Sequence, residues 1–217
     1  MPSNARNTFD ANKADLDRLW WFHTNEAGVT QGRKWGVEVL NKAVVVFVTA
    51  AWEAYCEDII LEAVEHIRVD ATDFSKFPKE VKTPVAAKII NDKNRLSPWR
   101  MAGDGWKSVL VDHAKELVAR LNTPKSGKLT TLFAEAIGVK DITHNWRWQN
   151  CTIATATSRL DNFITLRGEL AHRLKATAAV TKKNGEDFFS HTQLLAEKID
   201  LTVKDHLHAL TGKNYWQ

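Results

Sequence analysis

The chain has 217 residues, 44% of them hydrophobic and 26% charged, with a formal net charge of +4. That is long enough for one full core, too short to demand two, and too apolar for a disordered chain. Its two cysteines, Cys56 and Cys151, have no partner at metal-ligand spacing, which excludes a disulfide framework and suits a reducing compartment.

The start, Met1-Pro2-Ser3-Asn4-Ala5-Arg6, leads into a charged stretch and lacks the apolar run of a signal peptide. A first helix is expected from about Thr8 to Asn25, with Phe9, Leu16, Leu19, Trp20 and His23 near one stripe and Gly28 closing it. A long second helix is expected from about Lys34 to Arg68. There Val37, Leu40, Val44, Phe47, Val48, Ala51, Tyr55 and Ile59 recur every three or four residues. The run Val44-Val45-Val46 has strand-like composition, but the helical period continues on both sides of it. The uncharged stretch Ala43 to Trp52 is about half the length a membrane span needs, so a cytoplasmic protein with no membrane partner is expected.

From Ala71 to Arg100 the chain reads as irregular and basic, punctuated by Pro78, Pro84 and Pro98, with a short helix near Val85 to Lys93. Gly105 to Leu121 reads as an amphipathic helix, Asn122 to Gly127 as a loop, and Leu129 to Ile137 as a short helix stopped by Gly138. Thr152 to about Lys175 forms the next helix. A polar loop around Lys182-Lys183-Asn184-Gly185 leads to a last one, Ser190 to Leu210. Five prolines and ten glycines are few, and no linker or repeat appears. The expectation is an all-α bundle of about five to seven helices forming one domain over 1–217. The nine tryptophans are assigned mainly to its core.

Charge is unevenly spread. Phe9 to Asp70 carries eleven acidic and six basic residues, whereas Lys76 to Lys128 carries twelve basic and five acidic. A solvated lysine-rich helix surface explains the second balance, and so does a polyanion partner.

In the helix from Thr152, Leu160, Phe163, Ile164, Leu170, Ala171 and Leu174 all fall within about 60° of Arg167. A guanidinium thus sits at the centre of an apolar stripe. Its charge is fixed, so it must either pair with a carboxylate, for which Glu53 and Glu57 are candidates, or line a cleft that admits an anion. A third outlet is a subunit interface. His172 follows five residues later, about 140° around an ideal helix. One straight helix cannot aim both side chains at one phosphate. Either the helix distorts near Gly168, or a second copy of the chain completes the site across a two-fold axis.

The segment Ile164-Thr165-Leu166-Arg167-Gly168-Glu169-Leu170-Ala171-His172 resembles the Arg-x4-6-His signature of HEPN domains, and more specifically the RiboL-PSP-HEPN family. The helix Val44 to Tyr55 and the run Leu129 to Ile142 fit the same family, so that the resemblance covers about 37–175 and leaves a C-terminal helix at about 190–210. It implies an all-α HEPN-like bundle that homodimerises through the motif helix. It also implies a metal-independent endoribonuclease without a cofactor, often a toxin or an anti-phage defence component, with RNA as substrate and an antitoxin or regulatory protein as a possible partner. Arg167 would hold the scissile phosphate and His172 would handle protons, with Glu169, Arg173 and Glu53 in support. Two positions depart from the pattern: Gly168 stands where a polar residue is frequent, and Arg173 where a small one is.

Three other readings compete: a non-catalytic helical dimer that binds RNA or protein, a DNA-binding bundle, and a metal enzyme. The metal enzyme's best local candidates are His206-Leu207-His208, whose histidines point about 200° apart on a helix.

Overall fold

A computed structural model describes residues 1–28, 36–173 and 179–216, without the side chains of residues 172 and 173. Among the described residues the α-helices are α1 (Asn4–Ala11), α2 (Lys13–Ala27), α3 (Glu38–Asp70), α4 (Lys79–Ile90), α5 (Gly105–Val118), α6 (Ser126–Ile137), α7 (Ile153–Arg173) and α8 (Lys182–Thr211). Short 3-10 turns at Phe74–Lys76 and Ser97–Met101 flank α4. Only Asn12 separates α1 from α2, and its own backbone is right-handed helical at φ −62° and ψ −14°. Counted as one bent helix, the pair brings the bundle to seven, within the expected range.

The helix α3 is the axis of the bundle, with α1, α2, α5, α6, α7 and α8 all packed against it. Val44, Val45 and Val48 are buried while Val46 is 41% exposed, which is the helical alternation and settles the β-branched run as helix. Trp52, Tyr55, Ile59, Ile60 and Ile67 continue the buried face. Phe9 of α1 meets Trp52, Tyr55 and Phe189 there, with ring centroids 5.5–6.4 Å apart. Of the tryptophans, Trp52 and Trp146 are fully buried, and Trp20, Trp106, Trp148 and Trp216 pack partly against the core. Trp21 and Trp99 are exposed, and Trp35 lies outside the described residues.

The two ends of the chain are fastened to the same part of the bundle. The Met1 amino group donates to the Trp216 carbonyl. Glu62 of α3 accepts from the Asn4 and Ala5 N–H groups and from Trp216 Nε1. Ser3, the N-cap of α1, gives its N–H and its hydroxyl to the buried carboxylate of Asp200 on α8. Tyr55 donates to the same carboxylate.

Several boundaries correct the expectations. The long helix starts at Glu38; Lys34, the expected start, lies outside the described residues. The region from Ala71 to Arg100 is more ordered than expected, because α4 starts at Lys79 and runs straight through Pro84. A proline inside a helix costs about 3 kcal/mol. Val81, Val85 and Ile89, spaced i, i+4, i+8, are all buried, and each contributes about 1.5–3 kcal/mol, so the stripe outweighs the proline.

The expected polar loop at Lys182 to Gly185 is instead the first turn of α8. Thr181 and Asn184 cap it reciprocally: the Thr181 hydroxyl accepts from the Asn184 N–H, and the Asn184 side chain accepts from the Thr181 N–H. Gly185 is there for contact, since a Cβ at that position would lie 2.5 Å from Val44 Cγ1 of α3. No described helix is long and apolar enough to cross a membrane.

Candidate active site

The chain enters α7 through a tight turn in which Trp148 and Cys151 pair by their backbones and Asn150 takes a left-handed φ of 60°. The Thr152 hydroxyl accepts from the Thr155 N–H, satisfying one free donor of the first turn. Two turns on, the Asp161 carboxylate takes the Ser126 N–H at 2.8 Å and the Ser126 hydroxyl at 2.9 Å. That clamp ties the start of α6 to the middle of α7 and fixes the rotation of α7. Leu160, Ile164 and Leu170 are buried, as their stripe requires. Ala171, assigned to the same stripe, is exposed instead, and Leu174 lies outside the described residues.

Arg167 is half-buried within this stripe. Among the described residues its fully buried Nε finds no hydrogen-bond partner, and no carboxylate forms an ion pair with its guanidinium. The expected alternative of a structural ion pair to Glu53 or Glu57 is therefore not made. Glu53 of α3 nevertheless faces the arginine. Burial pushes its carboxyl up from the ordinary value, while the charges of Arg167 and then of Lys128, on α6, pull it back. Glu57 is also pushed up, first by burial and then by Glu53 and Asp58. The arrangement is a carboxyl on α3, Glu53, with Glu57 beside it, facing a cation whose buried Nε is unused among the described residues. Lys128 was not singled out in the sequence; the only signal for it was the central basic balance.

The helix is unbroken through Gly168, so the local distortion considered for bringing Arg167 and His172 together does not occur. A Cβ built on Gly168 would meet nothing within 4 Å, so no packing requires a glycine there. His172 and Arg173 belong to the last turn of α7, and their side chains lie outside the described residues. Glu169 is half-buried and engaged by a neighbour. Of the expected site residues, the fold thus brings Arg167 and Glu53 toward one another.

One family model matches this chain, that of RiboL-PSP-HEPN, over residues 29–205. The chain belongs to the RiboL-PSP-HEPN family. Searches of curated proteins and of solved structures find no match. The matched span takes in α3 to α7 and most of α8 of this HEPN domain, including the Arg167 to His172 motif.

The histidines considered for a metal have structural partners. His206 Nε2 lies 2.7 Å from the Ile137 carbonyl, and His208 Nδ1 lies 3.2 Å from that of Lys213. Burial lowers the His206 pKa, and the ring stays neutral as it donates to that carbonyl.

Proposed function

We propose that this HEPN domain is a metal-independent endoribonuclease whose working site is built from Arg167 and His172 of two copies of the chain. The observation that carries the reading is the Arg167 guanidinium, which is held in an apolar stripe with a buried Nε that finds no acceptor among the described residues. Such a group is prepared for an anion that arrives from outside, and a phosphate takes two parallel hydrogen bonds from the guanidinium fork.

The reaction uses the substrate's own 2′-hydroxyl. A general base removes its proton, the 2′-oxygen attacks phosphorus, and the bond to the 5′-oxygen breaks as an acid delivers a proton to the leaving group. The products are a 2′,3′-cyclic phosphate and a 5′-hydroxyl. Arg167 stabilises the charge on the non-bridging oxygens, and His172 carries protons at neutral pH because an unperturbed imidazole titrates near a pKa of about 6.5. The straightness of α7 supports a composite site. With Arg167 and His172 about 140° apart on one helix, facing copies of α7 let the arginine of one protomer meet the histidine of its partner. Glu169, Arg173 and Glu53 orient these groups at the edge of the cleft. The biological setting proposed is a cytoplasmic toxin or anti-phage defence protein restrained by an antitoxin or regulatory partner.

The test is purified protein with RNA in excess EDTA, alongside Arg167→Ala and His172→Ala and a measurement of mass in solution. Cleavage that persists in EDTA and disappears in both variants of a dimeric protein is expected. Loss of cleavage in EDTA, full activity in His172→Ala, or a strict monomer that cuts RNA would overturn the scheme.

A further inference from the structure

Arg159, Phe163 and Arg167 are spaced i, i+4, i+8 on α7, so they fall within about 80° of one another, with the two arginines about 12 Å apart along the axis. Beside this line lies a cleft of about 480 Å³ between α7, the start of α8 and the turn at Trp148. Its size is within the range of about 300–1,000 Å³ typical of small-molecule sites.

The half-buried rings of Trp148 and Phe163 line it, with His191 between them, 5.4 Å from the Trp148 ring centroid and 6.3 Å from that of Phe163. Phe163 is stacked on Phe188 at 4.4 Å and 16°, which holds its plane fixed. Arg159, Lys183 and the Ser190 hydroxyl stand at the rim, all exposed, and Lys183 is paired to Asp187 at 3.0 Å. His191 Nε2 lies 3.0 Å from the Ala156 carbonyl, which can only accept, so this nitrogen carries the proton and Nδ1 is left as an acceptor. Burial pushes the His191 pKa down, and the ring is neutral at physiological pH.

Fixed aromatic faces, a neutral acceptor, a hydroxyl and exposed cations in one cleft are what a single-stranded nucleotide requires. The base stacks, its polar edge finds partners, and its phosphate meets a cation. A second hollow, lined by Phe77, Val81, Val85, Met101, Trp106 and Leu110, offers hydrocarbon almost throughout and lacks this combination.

We infer that the cleft between α7 and α8 is a nucleotide subsite for single-stranded RNA, in which the base lies against Trp148 and Phe163 while Arg159 contacts a backbone phosphate. It rests on the ribonuclease reading for the identity of the strand. It adds a place where the RNA is gripped a few nucleotides from the phosphate held by Arg167, and Trp148, Arg159 and Ser190 become positioning residues.

The experiment measures binding of a short fluorescein-labelled 2′-O-methyl RNA, which cannot be cut by its own 2′-hydroxyl, to wild type, Arg159→Ala, Trp148→Leu and Ser190→Trp over a range of salt. Arg159→Ala is expected to weaken binding and to lower the slope of log K against log salt by about one, the signature of one lost phosphate contact. Trp148→Leu is expected to weaken binding about tenfold with the slope unchanged, as loss of a stacking face does. Ser190→Trp, at an exposed position where folding is safe, fills the cleft and weakens binding even if Trp148→Leu fails to fold.

Three folded variants that bind like wild type, or a wild type that does not bind the RNA, would overturn the subsite. Unmodified RNA cut normally while all three bind unchanged would sink the subsite and leave the ribonuclease reading standing. Binding lost in the variants with unmodified RNA left intact by wild type would do the reverse.

Discussion

Replacing Arg167 by methionine should stabilise the fold while sharply slowing cleavage, a combination that separates a binding arginine from a structural one. Methionine keeps the hydrocarbon stem against the buried stripe of Leu160, Ile164 and Leu170 and removes the buried Nε that has no partner among the described residues. An unsatisfied buried donor costs about 1–3 kcal/mol. Against this gain, Glu53 loses the larger of the two cationic influences that hold its carboxyl down, keeping only Lys128, so its raised pKa climbs further. A carboxyl with a raised folded pKa contributes stability below its unfolded pKa and loses it as pH rises through the folded value, so the offset grows as pH rises through that value. A net gain of about 1–2 kcal/mol remains, which for a chain of this size raises Tm by about 2–8 °C. Calorimetry at fixed protein concentration reads it, and single-turnover cleavage should fall about 10²- to 10³-fold, the usual loss when a transition-state donor is removed. Adding Glu53→Gln should raise Tm further and flatten its dependence on pH above about 4.5. A fall in Tm of several degrees in Arg167→Met would mean that the guanidinium holds the bundle together, and the reading of its donors as reserved for a phosphate would be wrong.

Gly168→Ala should raise stability by about 0.5–1 kcal/mol, because the added methyl meets nothing within 4 Å in an unbroken helix; thermal melting checks it, and unchanged cleavage would show that the glycine has no part in the chemistry. Gly185→Ala should cost about 1–3 kcal/mol, since the new Cβ would sit 2.5 Å from Val44 Cγ1, and Val44→Ala in the same chain should recover part of the loss. Ser3→Ala should cost about 1–3 kcal/mol at pH 7 in denaturant titrations, by removing the α1 cap and a donor to buried Asp200. Burial already raises the Asp200 pKa against the bonds from Ser3, so the variant raises it further. Its deficit should therefore shrink as pH falls toward that value and the carboxyl takes up a proton.

The helical class and most helices were legible because the apolar period of α3, α5, α6 and α7 is carried by residues that reach the core directly. The start of α8 was not. Lys182-Lys183-Asn184-Gly185 has the composition of a turn, and what makes it helical is the Thr181 and Asn184 cap together with a close crossing that requires a glycine opposite Val44. Proline 84 misled in the same way, since the stripe of Val81, Val85 and Ile89 that overrides it acts through tertiary packing. At the site, the displacement of Arg167 from solvent could be read from its helical angle alone. Its distance from Glu53 could not, because that depends on how α7 is rotated, and the Asp161 clamp on Ser126 that sets the rotation joins residues far apart in sequence. The cleft beside it was half legible: Arg159, Phe163 and Arg167 share a spacing, but Trp148 and His191 arrive from other elements.

The fastening of both chain ends onto Glu62 and Asp200 has a topological consequence. With Met1 bonded to Trp216, a short peptide could join the ends into a ring, and new ends could be opened in the Asn122 to Lys125 loop without crossing a helix. Such a circular permutant, cut ahead of Pro124 so that the bond from buried Trp52 Nε1 to the Pro124 carbonyl is spared, would place its free ends beside the start of α6, where the Asp161 clamp lies. A fusion partner attached there would stand near α7, whereas one attached at either present end would stand at the Glu62 anchor. The same cargo could thus be moved between the Glu62 anchor and the start of α6 by choosing where the ring is cut.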